Sequence, residues 1–346
     1  MPRFSLGLLS VTVALIMGWS ACASAAGLVI YTSRKDEMLK PLTDDFTKQT
    51  GITIQTVVDD TPQLIARLES EGMQSPADVL MPVDVAMMDI AAKKGLLMPT
   101  QSNILNSNVP EAYRDKEGRW YGLGRRARVI IYNKAKVNPS LLSTYEDLAD
   151  PKWKGKLLVR SSGHAYNQSL LAAIIANAGE EKAQAWANGI AANLVRAPQG
   201  GDRDQIRAVA AGEGDVAIAN SYYYARFQAS SLPEDQEVAR KTGLFFPNQN
   251  APKGMLQGAH VNISGAGVVA TSKQSQAALK FIEYLSGEQA QRFYADSNQE
   301  FPINQKVPPS KYLQGLGSFK ADPTPLVSLS EFSQEAIRIA DRSGWK

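Results

Sequence analysis

The sequence predicts an α/β protein of two lobes with a ligand cleft between them. Short apolar runs alternate with amphipathic stretches, the pattern of parallel sheets covered by helices. The 346 residues correspond to about two domains at roughly 100–200 residues each. A second series of such elements starts near Arg128, where an extended run is placed to carry the chain from one lobe to the other.

The elements read in order. Leu28 to Tyr31 is a first strand, and Leu39, Leu42 and Phe46 recur at helical spacing until Gly51 ends the helix. Ile52 to Val58 alternates as a second strand. Thr61-Pro62 reads as an N-cap followed by proline at the first helical position, with Leu64, Ile65 and Leu68 as the buried stripe. Ala77 to Met81 completes a βαβαβ unit. In the second series, Val129 to Tyr132, Leu157 to Val159 and Asp215 to Ala219 are strands, and a helix is expected from about Gln168 to Ala178. Asp202 and Gln205 have capping-box spacing at the head of a helix stopped by Gly212. Asn262 to Ala270 reads as a returning strand, and Gln276 to Ala295 as one long helix with Phe281, Leu285 and Phe293 inward. In two-lobed α/β folds ligands collect beyond the carboxyl ends of the strands.

Composition narrows the classes of function. Hydrophobic residues make up 44% and charged residues 21%, as in an ordered globular chain. The net charge is +3 with Lys and Arg dispersed, so no basic face for nucleic acid is expected. Residues 1–26 read as a signal peptide: Arg3, the apolar stretch Leu6 to Met17, then Ala23-Ser24-Ala25 as a cleavage pattern, which leaves a mature chain starting near Gly27. The apolar stretch is shorter than the about 20 residues of a spanning helix. Cys22, the only cysteine, lies in this leader. A lipid anchor at Cys22 is the other reading, and the bulky Trp19 favours free periplasmic release over it.

No Walker loop, G-x-S-x-G elbow or H-E-x-x-H occurs, and the chain has only two histidines, His164 and His260. An enzyme is therefore not expected. The unusual segment is Asn220-Ser221-Tyr222-Tyr223-Tyr224, directly after an apolar strand. Adjacent tyrosines on a strand point to opposite faces and serve packing. They serve metal chemistry if the backbone bends there: a hard, highly charged cation such as Fe3+ favours anionic oxygen, and it displaces the proton of a phenol whose ordinary pKa is about 10. Tyr166 stands at the head of another expected helix and offers a third oxygen. The residues alone leave both readings open.

The segment GGDRDQIRAVAAGEGDVAIANSYYYARF, residues 200–227, resembles the corresponding region of bacterial periplasmic ferric-binding proteins, the ferric-binding subgroup of extracellular solute-binding protein family 1. So do YTSRKDEMLKPLTDDFTKQTGI from Tyr31, RARVIIYNK from Arg126 and TYEDLADPKWKGK from Thr144. The resemblance implies the type II periplasmic-binding-protein fold, Fe3+ held in the interlobe cleft, and delivery to an ABC permease in the inner membrane. It implies an N-terminal lobe of residues 27–126 plus about 254–305, and a C-terminal lobe of about 127–253 plus 306–346. Tyr222 and Tyr223 match the family's adjacent tyrosine ligands, and Tyr166 a third tyrosine found in one subgroup; Tyr224 becomes an outward or packing residue. One of Arg126 and Arg128 resembles the arginine that holds carbonate or another synergistic anion. A monomer is expected, since a binding protein docks on its permease with the cleft face free.

The first lobe departs from the family's pattern. Where many members carry histidine after the first strand, this chain has Arg34-Lys35-Asp36, and neither cation can coordinate iron. Arg34 and Lys35 are candidates for balancing phenolate charge or clasping an anion, and Asp84 for a carboxylate contribution or a helix cap. This departure keeps a second reading in play, the same fold binding a phosphonate or carboxylate through Arg and Tyr.

Overall fold

The computed structural model describes residues 27–346, and these described residues form nine strands and thirteen α-helices. The leader read over residues 1–26, with Cys22, lies outside the described residues. In chain order, β1 (Leu28–Thr32), α1 (Asp36–Thr50), β2 (Ile54–Val58), α2 (Thr61–Glu71), β3 (Val79–Met81), α3 (Val85–Lys93) and α4 (Asn103–Asn108) lead into β4 (Tyr121–Asn133). Next come β5 (Leu157–Leu158), α5 (Ala165–Ala178), α6 (Glu180–Asn193), α7 (Asp202–Ala211), β6 (Val216–Asn220), α8 (Ser221–Ala229), α9 (Pro233–Lys241) and β7 (Thr242–Phe245). The chain closes with β8 (Val261–Val268), α10 (Ser275–Ser286), α11 (Glu288–Asp296), β9 (Phe301–Pro302), α12 (Lys311–Gly315) and α13 (Leu329–Ser343).

The expected βαβαβ unit is present: β1 pairs in parallel with β2 and with β3. Leu39, Leu42 and Phe46 bury the inner face of α1, and Gly51 ends it in the left-handed conformation that glycine adopts without a side-chain clash. The sheet order is β2-β1-β3-β8-β4-β6-β5. β8 lies antiparallel to both β3 and β4. The first half of β4, through Ala127, pairs with β8 and β9, and the second half, from Arg128, pairs with β6 and β7. β4 is thus shared by the two parts of the sheet, and the switch falls at Ala127–Arg128.

That crossing is pinned by hydrogen bonds. Arg128 N donates to His260 O at 2.8 Å. The buried phenol of Tyr145 donates to Arg128 O at 2.6 Å and accepts from His260 N at 3.0 Å. The last helix, α13, packs on α5 and α6 and also reaches α3, where Ser330 Oγ donates to Asp89 Oδ2 at 2.5 Å.

Four local expectations are corrected. The long helix read over Gln276–Ala295 is two helices, because Gly287 adopts an extended conformation that caps one and starts the other. The strand read over Val129–Tyr132 begins at Tyr121; Gly122, Gly124 and three arginines mask its signal, and pairing on both sides overrides weak local propensity. Thr61 is the first residue of α2 rather than its cap, and its hydroxyl donates to Ser33 Oγ at 2.8 Å, tying α2 to the end of β1. The head of α7 is capped at Gly201, whose N–H donates to Asp204 Oδ2 at 2.7 Å, which leaves Asp202 for another task.

Candidate functional site

β6 ends at Asn220 and the chain turns at once into α8, so the three consecutive tyrosines sit on the first turn of a helix rather than on a strand. Successive side chains on a helix lie about 100° apart. Tyr222 and Tyr223 therefore share one side, with ring centroids 4.1 Å apart, while Tyr224 turns into the core and donates to Thr242 O at 3.0 Å. Tyr166 occupies the first turn of α5, whose cap is His164: the imidazole Nδ1 accepts from Tyr166 N at 3.2 Å. The phenolic oxygens of Tyr166 and Tyr222 are 3.1 Å apart. Tyr166, Tyr222 and Tyr223 are thus brought together from two helix heads, both beyond the carboxyl ends of strands.

Burial and the neighbouring phenols push Tyr222 far above the usual tyrosine pKa, and burial raises Tyr223 as well. With nothing bound, both are neutral phenols at neutral pH. Their surroundings nonetheless favour an anion. Three guanidiniums approach the ring of Tyr166, from Arg126 at 5.3 Å, Arg128 at 5.7 Å and Arg160 at 5.3 Å.

The three arginines are engaged differently. Arg128 is fully buried and both its terminal nitrogens are engaged: Nη1 with Asp202 at 2.5 Å and Asn220 Oδ1 at 3.1 Å, Nη2 with Asn167 Oδ1 at 2.7 Å. Asn167 follows Tyr166 and Asn220 heads α8, so one guanidinium fixes both tyrosine-bearing helices. Asp202 completes the brace by accepting Asn220 N at 2.8 Å. Arg126 donates to Val83 O and has no carboxylate partner among the described residues. It lines a small polar cavity with Arg128, Tyr166, Asn220 and Asn262. Arg160 lies 3.7 Å from Asp202, and its Nε is buried without a partner. Further unpartnered buried polar atoms gather here, among them Arg34 Nε, Arg128 Nε, Asp202 Oδ1 and Asn220 Nδ2. Buried polar atoms in native folds are ordinarily satisfied, so such a cluster marks a place for a polar ligand.

The first-lobe candidates lie as follows. Arg34 is buried against Glu300, with Nη1 to Oε1 at 2.5 Å and Nη2 to Ser264 Oγ at 2.6 Å. Gly124 makes room for this pair, since a Cβ there would stand 2.3 Å from the Glu300 carboxylate. Arg34 is within Coulombic reach of Tyr222. Lys35 is exposed at the head of α1. Asp84 caps α3 by accepting Ala86 N at 2.9 Å and Met87 N at 3.3 Å, and its other oxygen accepts Asn262 Nδ2 at 2.6 Å. Among the described residues no cluster of three His, Cys, Asp or Glu side chains is arranged to hold a metal. A metal at this site would meet phenol oxygens, which suit a hard, highly charged ion.

Sequence reasoning missed Asp202, Glu300, Asn167, Asn220 and Arg160 as site residues. Arg160 had a signal, since it follows the strand Leu157–Leu158 and so sits at a carboxyl end. Glu300 had none, being 266 positions from Arg34.

His260 is buried and His164 half-buried, and both hold pKa values lowered to about 3, by desolvation first and then by neighbouring arginines. The unfolded chain takes up these protons below about pH 6.5, whereas the folded chain stays neutral. Stability contributed by the two rings is complete above that pH and falls as pH drops toward 3, at up to about 1.4 kcal/mol per pH unit for each. Urea midpoints measured between pH 7 and pH 4 are expected to show this fall, reduced in a His260→Gln variant.

The sequence profile of the bacterial extracellular solute-binding proteins matches residues 74–315. Iron uptake protein A1 of Synechocystis is 45% identical over 317 residues, which is 92% of this chain and 87% of that protein. Among solved structures, a Trichodesmium protein (IdiA, FutA) in complex with iron and citrate ligands is 47% identical, with a TM-score of 0.83, covering 93% of this chain and 100% of that one. The ferric binding protein from Campylobacter jejuni is 39% identical, with a TM-score of 0.88, covering 92% and 100%.

Proposed function

The chain belongs to the bacterial extracellular solute-binding proteins, and from that premise we propose that it binds Fe3+ through tyrosine oxygens in the cleft and delivers it to an ABC permease. The observation that carries this reading is the convergence of Tyr166, Tyr222 and Tyr223, with 3.1 Å between two phenolic oxygens, in a chain whose relatives include an iron uptake protein and a ferric binding protein. Phenol oxygens deprotonated by a trivalent ion supply three negative charges, which balance it. The lobes we propose are residues 27–126 with about 254–305 and about 127–253 with 306–346, and the switch of β4 at Ala127–Arg128 supports that boundary. The protein works in the periplasm as a binding component rather than an enzyme.

Arg126 is the better anion holder of the two arginines on β4. Arg128 has both terminal nitrogens engaged with Asp202, Asn220 and Asn167, whereas Arg126 faces the cavity beside Tyr166 without a carboxylate partner among the described residues. A planar fork suits carbonate or a carboxylate. Arg34 acts on the site as a paired cation held by Glu300, lending positive potential to Tyr222 without ligating.

The test is the visible spectrum of the metal-free protein after addition of Fe3+ and bicarbonate. A broad phenolate-to-iron charge-transfer band is expected. Its absence, with iron washing off, overturns the reading and favours an organic or oxyanion solute on the same fold, which calorimetric titration with phosphonates and carboxylates would reveal. Since Tyr222 and Tyr223 start as neutral phenols, loading releases their protons. Apparent iron affinity is therefore expected to rise with pH by at least about 100-fold per unit, the share of these two protons alone, measured with a competing chelator of known pH dependence.

A further inference from the structure

Asn262 lies on β8 close to the crossing, and its side-chain amide is held on every side. Its nitrogen donates to Asp84 Oδ2 at 2.6 Å and to Ser169 Oγ at 2.5 Å. Its oxygen accepts from Val85 N at 3.2 Å and from Ile263 N at 2.7 Å. The two amide hydrogens thus go to different places: one to the residue that caps α3, the other to α5. Ser169 stands three positions after Tyr166, one helical turn away on the same face. Having accepted from Asn262, its hydroxyl also forms a hydrogen bond with His260 Nε2 at 2.9 Å. All four side chains are buried, with Asp84 at 2%, Ser169 at 5%, His260 at 3% and Asn262 at 5% exposure.

α13 bridges α3 and α5 from one side, while direct contact between the two heads is sparse. They face across a void lined by Ala86 and Met87 on one side, Ala165 and Ala172 on the other, and Leu329 of α13. Side chains that face a void forgo part of their dispersion contact, whereas a buried, satisfied polar chain is costly to break. The hydrogen-bond chain therefore dominates this contact.

We infer that Asn262 is a positioning residue that clasps the Tyr166-bearing helix to the head of α3 across the hinge, holding the lobes together without touching the metal. This rests on the reading of the site as a two-lobed iron cleft. Opening the lobes carries Ser169 away from Asn262, so each opening event must break this bond.

Ser169→Ala removes one hand of the clasp and favours the helix it sits in, so folding is retained. The expected result has three parts. Iron leaves to an excess of chelator about tenfold faster, the worth of one buried hydrogen bond. The metal-free protein has a larger radius of gyration by small-angle scattering, and the charge-transfer maximum is unchanged because the phenols are intact. Asn262→Asp, which sets a second carboxylate against Asp84, is expected to do the same more strongly. Wild-type release and radius in both variants would overturn the inference, as would a shifted band maximum, which would mean that Ser169 acts on Tyr166 alone. If wild-type protein shows no iron band, the iron reading fails, and the scattering comparison of metal-free proteins still decides the clasp.

Discussion

Replacing Tyr222 and Tyr223 together by Phe is expected to abolish the charge-transfer band and to weaken Fe3+ binding by about 10⁶-fold or more. Two unit charges 4 Å apart interact by about 4 kcal/mol at an effective dielectric near 20, and a phenolate bound to a trivalent ion is both nearer and more strongly attracted. Each lost ligand is then worth at least about 10³-fold at roughly 1.4 kcal/mol per tenfold. The fold should not suffer, because the hydroxyl of Tyr222 is buried against Tyr166 and its removal deletes a desolvated polar group rather than a packed ring. Chelator competition measures the affinity, and thermal melting of the metal-free protein controls for folding. Retention of iron by the double variant would end the phenolate assignment.

Asp202→Ala is expected to be the most damaging single change to stability, by about 3–5 kcal/mol. Asp202 is wholly buried and neutralises Arg128, itself 2% exposed. Removing one partner of such a pair strands the other charge in the interior, which costs far more than the pair contributes when intact. The loss also frees Asn220 N and unseats the guanidinium that holds Asn167 and Asn220, so the two tyrosine helices lose their common brace. Urea unfolding reports the stability. The double variant Asp202→Leu, Arg128→Met is expected to recover part of it, because it leaves no orphaned charge. A loss below about 1 kcal/mol in the single variant would show the pair to be dispensable.

The parts of this molecule that sequence made visible are those encoded within a turn or a strand. The β1-α1-β2-α2-β3 unit follows from apolar spacing and a stop at Gly51, and the tyrosines announced themselves by adjacency. What stayed hidden depends on distance along the chain. Arg34 meets Glu300, and Asn262 meets Asp84 and Ser169, only after the sheet has folded back through β8. The break at Gly287 escaped because apolar periodicity runs through it. Asp202 was read as a cap because its spacing suited one, while its burial beside Arg128 lies beyond any local pattern.

One-sidedness of the tyrosines bears on traffic through the cleft. Tyr166, Tyr222 and Tyr223 all stand at helix heads on the β5–β6 side of the crossing. On the other side Arg34 is locked to Glu300, and both oxygens of Asp84 are occupied. On the proposed ligand set the ion's tyrosines come from one jaw alone, and the other jaw closes over them, bringing Arg126 toward the anion. On that reading tyrosine coordination precedes closure, and a receiving transporter that parts the jaws faces cargo with its phenolate bonds unbroken. Parting the jaws exposes the iron, and the transporter must draw it off the phenols by chemistry of its own.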